Sequence, residues 1–115
     1  MADSQLDLLR GTFDLLILKT LSWGPMHGLA VLRWIEQSTR DQLQIEEGAL
    51  YPALHRMEEK DWLESEWGYT ENNRKAKFYR LSARGRRQLG AELSRWSRYS
   101  TCVAMVLEAK PAGAR

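Results

Sequence analysis

The chain has 115 residues, of which 43% are hydrophobic and 28% charged, and its formal net charge is +2. This composition predicts one domain with a packed core, and it excludes a disordered chain or an enzyme with separate cofactor and substrate lobes. No uncharged apolar run approaches the roughly 18 residues of a membrane span. Asp3 and Asp7 precede the first apolar stretch, which is unlike a secretory signal. The single Cys102 excludes an internal disulfide and a cysteine-based zinc cage, so we expect a cytoplasmic protein.

Charge is unevenly distributed along the chain. Residues 1–73 contain 6 Lys/Arg and 13 Asp/Glu, whereas residues 74–98 contain 9 Lys/Arg and one acid. The second segment therefore has a net charge of +8. Such a segment is typical either of a surface that binds a polyanion or of a solvated basic helix face.

Periodic apolar residues predict three helices, at about residues 5–22, at about 27–39, and from Gly48 or Ala49 onward. Gly24-Pro25 ends the first helix, and Pro52 is tolerated only in the first turn of the third. The predicted inward residues are Leu9, Phe13, Leu16, Ile17 and Leu21, then Val31, Leu32 and Ile35, then Leu50, Leu54 and Met57.

A β-hairpin is predicted after the third helix. Residues 62–67 and 75–81 contain several aromatic side chains and predict two strands. Residues 68–74 between them read Gly-Tyr-Thr-Glu-Asn-Asn-Arg, which is turn chemistry. The second strand lies within the basic segment.

A long last helix is predicted over residues 83–109, with Ser82 as its N-cap. Its heptad seam comprises Leu89, Leu93, Trp96, Ser100, Val103 and Leu107. A helix of this length measures about 40 Å and extends beyond its own domain. The seam therefore predicts a homodimer, with residues 1–82 as the globular domain and residues 110–115 as a frayed tail.

Catalytic chemistry is not predicted. His27 and His55 have no metal-ligand spacing, and the sequence has no nucleophile motif and no phosphate-binding glycine loop. Cys102 is interpreted as a packing residue, and Glu58-Glu59 as a solvated helix face. We therefore expect neither an enzyme, nor a metal site, nor a cofactor.

Three helices followed by a hairpin is the order of a winged helix-turn-helix domain, mainly α with a small β-hairpin (α+β), in which the third helix enters the major groove. The outward face of that helix carries Tyr51, Pro52, His55 and Arg56. The free N–H groups at Gly48 and Ala49 are candidate phosphate ligands. The alternative is that Tyr51 and His55 are half-buried packing residues. Because residues 46–61 contain five acids, attraction to DNA must come from the wing cations Arg74, Lys75, Lys77 and Arg80.

The chain resembles the PadR family of bacterial transcriptional regulators. The matching blocks are Gly11-Thr-Phe-Asp-Leu-Leu-Ile-Leu18, Gly24-Pro-Met-His-Gly28, Glu47-Gly-Ala-Leu-Tyr-Pro-Ala-Leu-His-Arg56, Asn73-Arg-Lys-Ala-Lys-Phe-Tyr-Arg-Leu-Ser82 and Gly85. The resemblance implies a winged helix, a C-terminal dimerisation helix and usually a repressor. By matching position it assigns DNA contacts to Tyr51, Pro52, His55, Arg74 and Lys77, and the wing block adds Asn73. Leu29, Ala49 and Asp61 depart from common family residues, although Asp61 can still adopt a left-handed conformation.

The expected function is a homodimeric repressor of a pseudo-palindromic operator with half-sites about 10 bp apart. A pivot is expected near residues 82–85. Trp96 is interpreted as a dimer-core residue or, by the resemblance, as a platform for a small aromatic effector. The alternatives are a protein–protein interaction module that uses the acidic residues 1–73, or a small-aromatic-ligand binder at the dimer centre.

Overall fold

The computed structural model describes residues 11–113, which form four helices and a three-stranded antiparallel sheet. The helices are α1 (Phe13–Leu21), α2 (Gly28–Ser38), α3 (Glu47–Glu59) and α4 (Ala83–Glu108). The strands are β1 (Met26–His27), β2 (Leu63–Tyr69) and β3 (Lys75–Leu81). This order confirms the predicted α+β winged helix-turn-helix fold with a long last helix. The part of the first predicted helix that includes Leu9 lies outside the described residues.

Helices α1, α2 and α3 pack their apolar faces into one core, and the sheet closes it on one side. The predicted inward residues that are fully buried are Ile17, Leu21, Val31, Leu32, Ile35, Leu50, Leu54 and Met57. Leu63 of β2 and Tyr79 and Leu81 of β3 complete this core. Burial of a stripe on each helix leaves the opposite face of α3 free for other contacts.

Local polar contacts define where the helices begin and end. The Nδ1 atom of His27 accepts from the N–H of Ala30 at the start of α2, at 3.3 Å. The Ser82 hydroxyl accepts from the N–H of Gly85 at 2.9 Å, which confirms Ser82 as the N-cap of α4. After α3, Asp61 has φ 62°, as predicted for a left-handed end, and the N–H groups of Asp61 and Trp62 return to carbonyls of the last turn.

Two predicted details are wrong, and one strand was not predicted. The first hairpin strand begins at Leu63 and continues to Tyr69, because Gly68 extends the ladder opposite Ala76. Pro52 is the sixth residue of α3 rather than part of its first turn. The Gly48 carbonyl, which Pro52 leaves without a helical donor, belongs to an exposed residue that water can reach. Strand β1 was not predicted, because two residues are too few to give an alternating pattern; it pairs with β3.

The hairpin, or wing, has two chemically different faces because side chains alternate along each strand. Trp67 lies opposite Lys77 and Tyr69 opposite Lys75 on one face. We call these four residues the inner wing face, since they continue the face that packs on the core through Leu63 and Leu81. The outer wing face carries Glu64, Glu66, Phe78 and Arg80.

The start of α4 is fixed to the end of α3. Gly85 is so close to the backbone of Trp62 that an added Cβ would lie 2.0 Å from the Trp62 carbonyl oxygen. That oxygen also accepts from the N–H of Ser82 at 3.0 Å, and the Ser82 hydroxyl donates to the Asp61 carbonyl. These contacts make a tight junction, which argues against the pivot expected at residues 82–85.

Candidate nucleic-acid interface

The outward face of α3 carries the residues that the sequence predicted. Tyr51, Pro52, His55 and Arg56 are all exposed, opposite the buried stripe of the same helix. Gly48 and Ala49 are exposed in its first turn. The N–H of Ala49 already donates to the Glu46 carbonyl at 3.0 Å, so this bond competes with the predicted phosphate contact.

Tyr51 is positioned by the start of α2. Its ring lies against Gly28, where an added Cβ would be 2.8 Å from the Tyr51 Cε1 atom. Half of the Tyr51 side chain is nevertheless exposed. Tyr51 therefore combines the two predicted roles, since one edge packs against the backbone of α2 and the other is available to a ligand.

Arg56 lies on the same face but is held by α1. Its two terminal nitrogens each donate to one oxygen of Asp14 at 2.8 Å, in a bidentate pair. The hydrogen bond that Arg56 donates to Asp14 raises the pKa of Arg56. Arg56 thus joins α1 to α3, and a phosphate would have to compete with Asp14 for it. His55, by contrast, has the exposed Glu59 beside it, at 3.6 Å.

Glu58 connects α3 to the wing, a role that the sequence did not reveal. Its carboxylate accepts from the Ser65 hydroxyl of β2 and from the Lys77 ammonium of β3, at 2.5 and 3.3 Å. The Ser65 hydrogen bond, together with Lys77, lowers the pKa of Glu58. Glu58 is therefore half-buried and not part of the solvated helix face that was expected.

The tip of the wing presents two exposed cations. Arg74 and Lys75 are exposed, and within residues 11–113 neither forms an ion pair. Asn73 has φ 61°, and its N–H donates to the Thr70 carbonyl at 2.8 Å. The backbone of Asn73 therefore shapes the turn that displays Arg74 and Lys75.

The structure adds two aromatic residues to this surface. Trp67 and Tyr69 of the inner wing face are 64% and 68% exposed, and the Lys75 ammonium lies over the Trp67 ring at 5.2 Å. Only the aromatic content of the strand could be predicted from the sequence, because the extension of β2 to Tyr69 was not predicted. The pairing register is what brings these rings beside the lysines.

The predicted seam of α4 is largely uncovered in the single chain. Leu89 packs against the core and Ser100 is half-buried, whereas Leu93, Trp96, Val103 and Leu107 are exposed. Cys102, expected to be a packing residue, is exposed as well. The radius of gyration of 17.3 Å exceeds the roughly 13 Å of a compact chain of this length, since α4 extends away from the core.

A cavity of about 470 Å³ lies between the first turn of α1 and the middle of α4. Trp96 and Tyr99 contribute its aromatic wall, with ring centroids 6.2 Å apart. Gly11 lines this cavity and also a second one, of about 480 Å³, which Pro52 and Arg56 of α3 line on the other side. The first turn of α1 therefore lies between α4 and α3, with one cavity on each side of it.

The fold and this surface define a winged helix-turn-helix protein of the DNA-binding class. Residues 17–91 match the transcriptional regulator PadR-like family, and the chain belongs to that family, as its motifs indicated. Within residues 11–113, no helix is long and apolar enough to span a membrane, and no three metal-ligating side chains are grouped.

Two solved structures support the same assignment, and one further protein is similar in sequence. A PadR family transcriptional regulator from Eggerthella lenta is 30% identical, with a TM-score of 0.76 over 88% of this chain and 86% of that one. A transcriptional regulator from Clostridium thermocellum is 25% identical, with a TM-score of 0.76 over 83% and 92%. An uncharacterized protein from Lysinibacillus sphaericus is 26% identical over 102 residues, which is 89% of this chain and 94% of that protein.

Proposed function

We propose that the protein is a homodimeric repressor that binds a pseudo-palindromic operator and blocks transcription by occupying it. The observation that carries this proposal is the exposed face of α3, with Tyr51, Pro52 and His55, together with the exposed wing cations Arg74 and Lys75. Aromatic and polar groups on a helix of this kind suit base edges in a major groove. The wing then contacts the backbone or the adjacent minor groove.

Binding of DNA depends on the wing because α3 is flanked by acids. Glu46, Glu47 and Glu59 are exposed around this helix, so it repels phosphates. Arg74 and Lys75 form no ion pair with any residue of the range 11–113, and Lys77 shares its charge with Glu58. We therefore assign the phosphate contacts to the wing and sequence reading to Tyr51 and His55, with the N–H of the exposed Gly48 and the side chain of the exposed Asn73 as further polar contacts.

The proposed dimer forms through the seam of α4. Exposed apolar groups on the isolated helix, including Leu93, Val103 and Leu107, favour a second copy as the partner because the heptad spacing is self-complementary. Leu93→Glu should convert the dimer into a monomer in sedimentation velocity, with Glu108→Gln as a neutral control on the same helix. If the wild-type chain sediments as a monomer at micromolar concentration, the proposed dimer through α4 is wrong.

The test of DNA binding is a fluorescence anisotropy titration of the gene's own upstream DNA and of a scrambled duplex at several salt concentrations. Lys77→Ala should weaken binding to both duplexes and reduce the slope of log K against log salt by about one, whereas Lys19→Ala on α1 should not. His55→Ala should cost about 1–3 kcal/mol on the operator only. Absence of salt-dependent binding would instead favour a protein–protein module that uses the acidic residues 1–73.

The cavity beside Trp96 favours a second candidate function, binding of a flat aromatic effector. Trp96 and Tyr99 offer stacking surfaces, and an occupant would press on the first turn of α1, whose Asp14 holds Arg56 of α3. Calorimetric titration with acridine orange, without DNA, should show heat of binding that Trp96→Ala removes and Trp23→Ala retains. Equal binding by both variants excludes the site.

A further inference from the structure

The inner wing face repeats one side-chain pair along the hairpin. Trp67 on β2 lies opposite Lys77 on β3, and the next pair on that face sets Tyr69 opposite Lys75. Each pair combines an aromatic ring with an ammonium group. Both rings are about two-thirds exposed, at 64% and 68%, which is far more than packing within the wing requires.

Acidic side chains are segregated on the opposite face of the hairpin. Glu64 and Glu66 both lie on the outer wing face, where Arg80 pairs with them at 3.2 and 3.5 Å. The inner wing face carries two lysines and no acid of its own. Lys77 connects it to α3 through Glu58. The aromatic rings therefore border a cationic surface that is continuous with the proposed reading helix.

We propose that Trp67 and Tyr69 bind the sugar–phosphate backbone of the operator, with their rings against successive deoxyriboses while Lys75 and Lys77 contact the phosphates. This inference rests on the proposed DNA-binding function, and it adds apolar contacts between rings and sugars to the phosphate contacts of the wing. A nucleic-acid strand presents a row of apolar sugars beside a row of anionic phosphates, and the hairpin presents the matching rows, with the two rings on β2 beside the two lysines on β3. The rings touch no base edge in this arrangement, so their contribution is independent of sequence.

The charge pattern selects DNA over other occupants of these rings. A second copy of the chain would bring lysine against lysine on a two-fold interface, which is unfavourable. An apolar protein surface would bury the Lys75 ammonium, which forms no ion pair within residues 11–113, without an anionic partner, whereas Lys77 already pairs with Glu58. A polyanion with apolar segments satisfies both the rings and the ammonium groups.

The test compares two tryptophans in closely similar surroundings. Trp23 is 65% exposed with the Lys19 ammonium over its ring at 5.0 Å, which matches Trp67 under Lys75, but it lies on α1's C-terminal side and not on the wing. Trp67→Ala should weaken binding to operator and scrambled duplexes alike by about tenfold, with an unchanged salt slope. Tyr69→Ala should behave in the same way, Tyr69→Phe should bind as the wild type does, and Trp23→Ala should have no effect. Circular dichroism melting verifies that each variant is folded.

The outcomes separate this inference from the proposed function. If wild-type protein binds DNA with normal salt dependence but Trp67→Ala binds as tightly as Trp23→Ala, the aromatic contact is wrong and the repressor proposal stands. A loss confined to the operator would also overturn it, because that result assigns Trp67 to base reading. If the wild-type protein binds no duplex, the proposed function itself fails.

Discussion

Replacing Gly85 by alanine tests whether the winged-helix domain and α4 form one rigid unit. In an unhindered helix alanine is up to about 1 kcal/mol more favourable than glycine. At this position, however, the new Cβ would lie 2.0 Å from the carbonyl oxygen of Trp62 and 2.9 Å from its carbonyl carbon. Ordinary carbon–oxygen contacts need about 3.3 Å, so the start of α4 must move by more than about 1 Å.

That movement removes the contacts that hold the junction. The N–H of Ser82 donates to the Trp62 carbonyl at 3.0 Å, and the Ser82 hydroxyl bonds to the Asp61 carbonyl. Losing these two hydrogen bonds costs about 2 kcal/mol, and residual overpacking adds about 1–2 kcal/mol. After subtraction of the helix-propensity gain, Gly85→Ala should destabilise the protein by about 2–3 kcal/mol.

Gly90 provides the matched control on the same helix. Nothing lies within 4 Å of a Cβ added there, so Gly90→Ala should stabilise by about 0.5–1 kcal/mol. Thermal denaturation followed by circular dichroism, at one chain concentration, should show a midpoint about 8–12 °C lower for Gly85→Ala and about 2–4 °C higher for Gly90→Ala. If both alanine variants are stabilised, the junction yields freely and a pivot at residues 82–85 becomes tenable again.

Two further experiments test the contacts around α3. The Ser65 hydrogen bond and Lys77 lower the pKa of Glu58 in the folded chain, so their stabilisation is complete above the unfolded value of about 4.3 and is lost as the pH falls through the lowered folded value. Glu58→Gln should therefore lower the free energy of unfolding at pH 7 by about 1 kcal/mol relative to the wild type, and this difference should disappear in acid. A difference that stays constant with pH would contradict the reasoning. The same variant should bind DNA more tightly, because Lys77 is released. A double-mutant cycle of Asp14→Ala and Arg56→Ala should give a coupling of about 0.5–1 kcal/mol, and additive effects would show that the pair is not a clamp.

Features that depend on local pattern could be predicted from the sequence. The buried stripe of Leu50, Leu54 and Met57 follows from helical spacing, and the N-cap role of Ser82 follows from its residue type at a helix start. Both are properties of a few consecutive residues. The exposed face of α3 follows directly from the same periodicity.

Contacts between residues far apart in the sequence could not be predicted. Asp14 and Arg56 are 42 residues apart, and Glu58 and Lys77 are 19 apart. A run of acids and bases does not reveal which charges form ion pairs, so Arg56 and Lys77 were predicted as residues that face DNA and not as members of ion pairs. The close approach of Gly85 to a backbone carbonyl is likewise visible only once the helices are packed.

The acids around α3 have a consequence for the absolute affinity for DNA. Non-specific affinity for DNA comes almost entirely from phosphate contacts, so exposed acids such as Glu46, Glu47 and Glu59 weaken it. A correct operator adds base contacts from Tyr51 and His55 that are absent on other sequences. The repulsion is common to all duplexes and therefore does not change the ratio between operator and scrambled affinities by itself. It lowers the affinity for genomic DNA and for the operator by the same factor, so the base contacts alone set the preference for the operator. Glu46→Gln should thus tighten binding to both duplexes by a similar factor, whereas a gain confined to the operator would mean that Glu46 lies against a base.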